Sequence, residues 1–387
     1  MVREIKVPEL VTRKEGDVNI VERTDEQKNG RLLYWCECVA CGRRFKAVPK
    51  EVRGGRWICP CQQGLRPRTV VPKGNPLSVS DLAYLGGLID GEGYVGILKP
   101  KRSHREGRPG FQAYATIGHT SLELLNKVQQ MVGLGKIHDR KATNVRHKRS
   151  YQLDWKPNHL RELLPQLLPH LRLKRRQAEL VLEYLGFAGQ VNHKNSDAVA
   201  AYNAKCEDLH ARTKELNRRG ASETPERSVE REPQFTEETK LAYLAGLIDG
   251  EGTLALRKSK RVHRDGRVMY GACATIPNTN LSLLQLADDC VGGGNRIRAR
   301  KRRSEKHRQC HELWWGPSVL RQLLPALRPH LREKQRQAYL LLDHLAVAGK
   351  FDRRDPGAVT AYMEGRELVY LELKRLNQRG VPQEPAQ

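Results

Sequence analysis

The stretch LAYLGGLIDGEG occupies residues 82–93, and LAYLAGLIDGEG occupies residues 241–252. The similarity continues downstream, where LRELLPQLLPHLRLKRRQA at 160–178 matches LRQLLPALRPHLREKQRQA at 320–338. A solenoid repeats every 20–50 residues or so, whereas a period of about 160 residues is the size of a whole domain. The sequence therefore predicts a duplicated domain.

The repeat divides the chain into four parts. Residues 77–220 and 236–387 contain the two copies, and residues 1–76 form a separate amino-terminal module. Between the copies, residues 221–235 contain two prolines, four glutamates and little apolar content. That composition is typical of an exposed linker.

Both copies alternate helical and strand-like patterns in the same order. Apolar residues at near-helical spacing identify, for example, the helix that starts at Leu122. In the first copy the predicted helices are 81–92, 122–131, 158–168, 173–188 and 196–218, and the predicted strands are 94–100, 111–118, 136–140 and 150–155. The pattern predicts an α+β fold with an antiparallel-type sheet of short strands.

The chain is strongly basic, with 69 Lys and Arg against 44 Asp and Glu and a formal net charge of +25. A field of this sign attracts polyanions, which favours nucleic acid over a small-molecule substrate. No run approaches the roughly 18 apolar residues of a membrane span. The start, MVREIKVPEL, lacks the apolar segment of a secretory signal. We therefore expect an intracellular protein that binds nucleic acid and no membrane.

Small residues in the repeated motif predict that its two helices pack against each other. Gly86 and Gly87 in the first copy correspond to Ala245 and Gly246 in the second. Such residues allow two helices to approach to near backbone contact. We expect the two motifs to form a pseudo-twofold helix pair.

Each motif ends in an acid followed by a glycine. Gly93 and Gly252 are predicted to end the helices as left-handed C-caps, which places Glu92 and Glu251 at adjacent helix ends. Two carboxylates that meet at an axis repel each other unless cations bind between them. Hard divalent ions prefer oxygen ligands, and a pair of them stabilises the attacking and leaving oxygens in phosphoryl transfer.

These motifs resemble those of the LAGLIDADG homing endonucleases, in their single-chain form, and the resemblance extends over residues 81–380. It implies two αββαββα halves that form a pseudo-twofold saddle on double-stranded DNA. The family's catalytic acid precedes the last glycine of the motif, which identifies Glu92 and Glu251. The resemblance also assigns Gly91 and Gly250 to a site for two or more Mg²⁺ ions at the motif interface. The motif aspartates are expected to be structural.

Two further pairs of positions are candidates for the catalytic centre. Lys174 and Lys334 occupy matching places in the downstream block, where the family has a basic residue that polarises a water or offsets phosphate charge. The alternative is a solvated lysine at a helix start. His119 and Asn278 lie where the family places polar groups near the attacking water. His119 is equally compatible with a phosphate contact or a plain surface position.

Basic hairpins recur at corresponding places in both copies. Residues 296–308 hold eight Lys or Arg and one Glu, and residues 257–267 hold six and one Asp. Recurrence in both halves favours phosphate contact over an ordinary solvated surface. The predicted DNA-binding residues are Lys99, Lys101, Arg102, Arg105, Arg140, Arg146, Lys148, Arg257, Lys258, Lys260, Arg296, Arg298, Arg300 and Arg302.

Five of the nine cysteines lie within residues 36–61. Such crowding favours a metal site in a reducing compartment over a disulfide framework. Four thiolates form a closed tetrahedral Zn²⁺ site, and the spacing resembles a small zinc ribbon. The predicted ligands are Cys38, Cys41, Cys59 and Cys61, with Cys36 as the alternative to Cys38. We expect one Zn²⁺ and an auxiliary DNA contact from this module.

The sequence thus predicts a monomeric, Mg²⁺-dependent DNA endonuclease of the intron-homing kind. It is expected to hydrolyse both strands of a long asymmetric target, because the two halves are similar but not identical. Two alternatives share the fold. One is a non-catalytic RNA-binding cofactor of intron splicing, and the other is a DNA-binding regulator without chemistry.

Overall fold

A computed structural model describes most of the chain. The described residues are 13–15, 18–28, 30–39, 42–48, 73–99, 110–140, 149–191, 195–218, 236–262, 268–302 and 309–378. The chain divides into two compact units, Met1–Val70 and Val71–Gln387. The predicted linker at 221–235 lies outside the described residues.

The smaller unit contains one antiparallel sheet. Its strands pair in chain order and are β1 (Arg13–Glu15), β2 (Val18–Lys28), β3 (Arg31–Cys38) and β4 (Arg44–Ala47). Val18, Ile20, Cys36 and Ala47 form a small buried cluster on one face, because strand side chains alternate between faces. After β3 the chain turns through Gly42, whose φ of 69° suits glycine.

The larger unit contains the two repeats. The elements of the first are α1 (Val79–Glu92), β5 (Gly93–Leu98), β6 (Gln112–His119), α2 (Leu122–Val132), β7 (Lys136–Arg140), β8 (Ser150–Trp155), α3 (Pro157–Leu167), α4 (Arg175–Phe187) and α5 (Ser196–Leu216). Those of the second are α6 (Glu237–Gly250), β9 (Thr253–Val262), β10 (Val268–Asn278), α7 (Leu281–Asp289), β11 (Arg296–Ala299), β12 (His311–Trp315), α8 (Pro317–Leu327), α9 (Gln335–Val347) and α10 (Pro356–Leu376).

The two repeats have the same sheet topology. Strands pair antiparallel in the order β5-β6-β8-β7 in the first and β9-β10-β12-β11 in the second. The prediction of a duplicated, mixed α+β fold is confirmed. Every helix and strand predicted in the first repeat is present, with ends that differ by at most two residues. Among the described residues, no helix is both long and apolar enough to cross a membrane.

Helix α1 begins at a capping box. The Asp81 amide donates to Ser78 Oγ over 3.0 Å, and the Ser78 amide donates to Asp81 Oδ2 over 3.2 Å. In α6 the Thr239 amide donates to Thr236 Oγ1 in the same way. Both caps lie directly before the motif, so each motif helix starts at a defined residue.

The two motif helices cross at a pair of glycines, as the small residues predicted. A Cβ atom at Gly87 would lie 2.0 Å from the carbonyl oxygen of Tyr243. One at Gly246 would lie 2.0 Å from the carbonyl oxygen of Tyr84. Real atoms cannot approach that closely, so only glycine permits this crossing of α1 and α6. The reciprocal contacts give the pair approximate twofold symmetry.

The predicted left-handed C-caps of the motif helices are wrong. Gly93 has φ −84° and ψ 166°, which is extended backbone, and Gly252 is not among the described glycines with positive φ. Glycine is needed here for space instead. A Cβ at Gly93 would lie 2.7 Å from the Ile89 carbonyl oxygen, and one at Gly252 would lie 2.8 Å from Ile248 Cα. The tight passage from helix directly into strand accounts for the motif's last glycine.

Candidate active site

The ends of the motif helices bring Glu92 and Glu251 to the same place. Glu92 is the last residue of α1, and Glu251 directly follows α6. Each side chain lies against the glycine of the opposite helix. The Cβ position of Gly91 is 3.6 Å from Glu251 Cγ, and that of Gly250 is 3.1 Å from Glu92 Cγ. The two glycines therefore leave room for the acids to cross, and both acids remain partly exposed.

Two buried tyrosine–aspartate pairs join the motif helices just before the acids. Tyr84 Oη donates to Asp249 Oδ2 over 2.8 Å, and Tyr243 Oη donates to Asp90 Oδ2 over 2.8 Å. Burial, followed by the neighbouring aspartate, raises the pKa of each tyrosine well above its ordinary value. The tyrosines are therefore neutral donors to the two aspartates.

The aspartates also hold the turns that carry the two lysines. Asp90 accepts hydrogen bonds from the amides of Arg172, Leu173 and Lys174 at 2.7, 3.1 and 2.8 Å. Asp249 accepts the equivalent bonds from residues 332–334 at 2.6, 3.1 and 3.0 Å. The motif aspartates are thus structural, as expected, and they fix the lysines next to the acids.

Lys174 lies against the end of the first motif helix. Its Nζ donates to the carbonyl oxygens of Ile89 and Asp90 over 2.8 and 2.6 Å. Burial lowers its pKa, while the carboxylates of Asp90, Glu251 and Glu92 oppose that shift. The ammonium group therefore lies within the field of both candidate catalytic acids, and it also complements the negative end of the helix dipole.

Lys334 makes the same contacts in the second repeat. Its Nζ donates to the carbonyl oxygens of Ile248 and Asp249 over 2.9 and 2.5 Å. Each lysine therefore folds back onto a motif helix instead of extending from the start of its own helix. The next carbonyl groups along the two motif helices belong to Gly91 and Gly250.

His119 and Asn278 end equivalent strands, β6 and β10. Asn278 Nδ2 donates to Glu251 Oε1 over 2.9 Å, and its Oδ1 accepts from the Asn280 amide over 2.8 Å. His119 Nδ1 accepts from the Ser121 amide over 3.0 Å. The structure thus joins Asn278 to a candidate catalytic acid. The two halves of the site therefore carry different side chains at this position, an imidazole in the first repeat and an amide in the second.

Each sheet packs one set of alternating side chains into the core, and the other set lies on the opposite face. We call this second face the outer face. In the first sheet it carries Tyr114, Thr116, Lys136, His138, Arg140, Gln152 and Asp154. In the second it carries Arg257, Cys273, Thr275, Arg296, Arg298, Glu312 and Trp314. Buried Trp155 and Trp315 lie on the core side of the two sheets.

The predicted DNA-binding residues have different surroundings. Lys99 and Lys258 each pair with a helix carboxylate, Glu207 and Glu367, over 2.6 Å. Arg302 Nε donates to the side chain of Gln309 over 3.0 Å. Lys101, Arg102, Arg105, Arg146, Lys148 and the side chain of Lys260 lie outside the described residues.

The candidate site suits a hard cation in its donor set. It offers two carboxylates, Glu92 and Glu251, and the backbone carbonyl oxygens of Gly91 and Gly250, all of which are oxygen ligands. No group of three or more His, Cys, Asp or Glu side chains able to hold a metal ion occurs in the described part of the chain. A cation at this place would have two carboxylate ligands at most from these acids, and its other ligands would be backbone oxygens, water or a phosphate.

Of the predicted zinc ligands, only Cys38 lies among the described residues. It is buried at the end of β3, and its carbonyl oxygen accepts from the Gly42 amide over 2.9 Å. Cys36 belongs to the buried apolar cluster of the small sheet. Cys41, Cys59 and Cys61 lie outside the described residues.

The sequence reasoning missed the two tyrosine–aspartate pairs and the acids of the outer faces. Tyr84 and Tyr243 occupy the same motif position, which is the signal that could have found them. No such signal identifies Asp154 and Glu312, because one is an aspartate and the other a glutamate and they occupy non-equivalent positions in the two sheets.

No protein-family model matches the chain, and a search of curated proteins gives no match. Among solved structures, the meganuclease I-SmaMI bound to DNA is 17% identical, with a TM-score of 0.53, and the match covers 76% of this chain and 98% of that one. Another structure of I-SmaMI holds a DNA target in the presence of calcium ions.

Two LAGLIDADG homing endonucleases, each solved with its target DNA, are also similar. I-GzeII is 11% identical with a TM-score of 0.54, covering 76% of this chain and 98% of its own. I-LtrWI is 14% identical with a TM-score of 0.55, covering 75% and 98%. At these identities the similarity concerns the fold, and the larger part of this chain has the fold of LAGLIDADG homing endonucleases.

Proposed function

We propose that the chain is a site-specific DNA endonuclease that makes a double-strand break by metal-assisted phosphodiester hydrolysis. The observation that carries the proposal is the meeting of Glu92 and Glu251 across a glycine-packed helix pair. Two acids of the same sign are brought together there and left partly exposed. Such an arrangement is unfavourable for stability alone and favourable for binding cations.

The proposed division of labour follows from the contacts. Glu92 and Glu251, with the carbonyl groups of Gly91 and Gly250, would hold divalent ions, and Mg²⁺ bound there would supply positive charge to the attacking and leaving oxygens. Lys174 and Lys334 would offset phosphate charge from opposite sides. Hydrogen bonds to the carbonyl groups at the ends of the motif helices hold both lysines in place, so the two glutamates do not need to bind them.

The position of Asn278 supports a role next to the acids, and we assign the same role to His119 because it ends the equivalent strand of the first repeat. Asn278 holds one oxygen of Glu251, which orients that carboxylate. The basic outer faces would contact the DNA on either side of the cleaved bonds, so a single copy of the chain would span the whole target. The LAGLIDADG proteins of the same fold are named as homing endonucleases and were solved on DNA targets, which supports the same function.

The experiment is cleavage of a randomised DNA target library with Mg²⁺, followed by sequencing of the ends. The proposal expects both strands to be cut at one long asymmetric sequence. Binding should also weaken with salt, with a log–log slope of about −5 or steeper, because several phosphates are contacted per half. Binding without any cleavage at saturating protein would instead support a regulator or an RNA cofactor.

We also propose that the smaller unit holds one Zn²⁺ through Cys38, Cys41, Cys59 and Cys61. Cys38 is favoured over Cys36 because Cys36 packs in the apolar cluster, whereas Cys38 precedes a turn closed by its carbonyl oxygen. Elemental analysis of the intact protein should find one zinc. Cys41→Ser should lower DNA affinity and leave Mg²⁺-dependent cleavage at saturating protein. A zinc-free protein would contradict this proposal.

A further inference from the structure

The outer face of the second sheet carries an arginine that is held by an acid. Arg298 on β11 is paired in register with Glu312 on β12. Its Nε and Nη2 lie 3.4 and 3.1 Å from the same carboxylate oxygen of Glu312. The Glu312 side chain is only 10% exposed, whereas that of Arg298 is 39% exposed. Glu312 is thus nearly buried beneath the outer face, whereas Arg298 is exposed to solvent.

An acid at this place is unexpected on a basic surface. A carboxylate repels phosphate, so Glu312 does not add to backbone affinity. Arg300 lies 3.9 Å from the other oxygen of Glu312, so the acid serves two cations. Since it is nearly buried and bonded to a more exposed arginine, its effect is to fix the direction of that arginine.

The contact uses one edge of the guanidinium and leaves another. Arginine has five N–H donors in a rigid planar fork. The Nε and Nη2 edge faces Glu312, which leaves the Nη1 and Nη2 edge for another acceptor. Two parallel donors of this kind match the O6 and N7 acceptors of guanine in the major groove, which is the commonest specific contact of arginine with DNA.

The register places this arginine near the cleavage centre. Glu312 is also paired with Pro277, the neighbour of Asn278, which donates to Glu251. The Arg298 row is therefore the row of the sheet next to the candidate active site. A base contacted by Arg298 belongs to the inner part of its half-site.

The first repeat lacks this arrangement. The register pair that corresponds to Arg298 and Glu312 is His138 and Gln152. There the acid is Asp154, which accepts from Tyr114 Oη over 2.6 Å and from Gln152 Nε2 over 2.7 Å. Neither residue of the pair is an arginine, so the two outer faces present different donors at the same place.

We infer that Arg298, oriented by Glu312, reads one guanine in the inner part of the second repeat's half-site, with no equivalent guanine in the mirror position of the other half-site. The inference rests on the proposed function, since it requires DNA on the outer faces. Glu312 is a positioning residue, and Arg298 is the reading residue.

The experiment is selection of bound sequences from a randomised target library in EDTA, so that cleavage plays no part. The parent chain should prefer guanine at one inner position of one half-site by about tenfold or more. Glu312→Gln and Arg298→Lys should each reduce that preference to about threefold or less while other positions keep theirs. The double variant should lose no more than Arg298→Lys alone, because the two residues act as a unit.

Two further variants make the test specific. Asp139→Asn removes an exposed arginine–aspartate pair with Arg149 that lies off the outer face, and it should leave the profile unchanged. His138→Arg combined with Gln152→Glu should create a guanine preference at the mirror position.

The outcomes separate this inference from the function. If the parent binds selectively but Glu312→Gln leaves its base preferences unchanged, the guanine assignment is wrong. The same holds if Glu312→Gln weakens the preference equally at all positions. Neither result contradicts the proposed function. A parent chain that binds no DNA overturns the proposed function as well.

Discussion

Tyr84 of the first motif donates a 2.8 Å hydrogen bond to Asp249 of the second, and Tyr243 donates an equal bond to Asp90 in return. Each aspartate also accepts from the turn that carries a lysine of its own repeat. Helix pairing, lysine placement and the position of the acids are therefore linked through two buried carboxylates. Disturbing one bond should affect the whole centre.

Replacement of Tyr84 or Tyr243 by Phe should lower the free energy of unfolding by about 1–3 kcal/mol, because it removes a donor from a buried carboxylate. The loss can be measured by urea unfolding followed by circular dichroism. Tyr339→Phe is the matched control, since Tyr339 is 50% exposed and should change little. Equal effects of all three variants would contradict the role of the cross-helix pairs.

Replacement of Gly87 or Gly246 by Ala should be far more damaging. The new methyl group would lie 2.0 Å from a backbone carbonyl oxygen of the opposite helix, so the helices must move apart. We expect a loss of about 3 kcal/mol or more, or failure to fold, seen in soluble yield and unfolding curves. Gly365→Ala in α10 meets no atom within 4 Å and should be neutral or slightly stabilising. A tolerated Gly246→Ala would contradict the close helix crossing.

The helix crossing could be predicted from the sequence because small residues at matching places in both motifs are typical of helices that pack at close range. The elements of each repeat could also be predicted, since their apolar spacing is regular. The roles of Gly93 and Gly252 cannot be predicted from the sequence, because a glycine needed for space looks the same there as a glycine needed for positive φ. Only the backbone distances to Ile89 and Ile248 separate the two.

Loss of the Asn278 donor should affect the two DNA strands unequally. Asn278→Ala removes one hydrogen-bond donor to Glu251, and a charge-assisted hydrogen bond of this kind is worth about 1.5–3 kcal/mol. Cleavage of one strand should therefore slow by about tenfold or more relative to the other, so that nicked DNA accumulates. Strand-specific end labels measure this ratio. His119→Ala, the control in the other half, should not slow the same strand selectively. Equal slowing of both strands by Asn278→Ala would contradict the asymmetry.

A buried histidine should make the larger unit sensitive to acid. Burial, followed by the charge of Arg366, lowers the pKa of His344 to about 4, and Arg366 Nη1 donates to its Nδ1 over 3.3 Å. In the unfolded chain the His344 imidazole is protonated below about pH 6.5, whereas in the folded chain it is protonated only below about pH 4. Stability is thus complete above pH 6.5 or so and falls as the pH drops toward 4.

Because of His344, the free energy of unfolding should fall by about 2 kcal/mol when the pH is lowered from about 7.5 to about 5. His344→Gln keeps an acceptor for Arg366 but cannot take up a proton. Urea unfolding at several pH values should show a shallower decline for this variant than for the parent. Parallel pH curves would contradict the assignment.

The contents of the outer faces could not be foreseen from the sequence. Basic residues were visible as runs, but whether a lysine is directed toward DNA or held by a helix depends on contacts far apart in sequence. Lys99 and Glu207 are 108 residues apart, and Lys258 and Glu367 are 109 apart. The pairing of Arg298 with Glu312 likewise depends on strand register, which composition does not reveal.

The most direct test of the central claim is strand cleavage by Glu92→Gln and Glu251→Gln on the target sequence with Mg²⁺. Each substitution removes a negative charge from the site and leaves the size of the side chain almost unchanged. Binding in EDTA should stay within about threefold of the parent, while double-strand cleavage should fall by about a hundredfold or more in both variants. If either variant binds as the parent does and still cuts both strands at the parental rate, the two glutamates are not the catalytic acids.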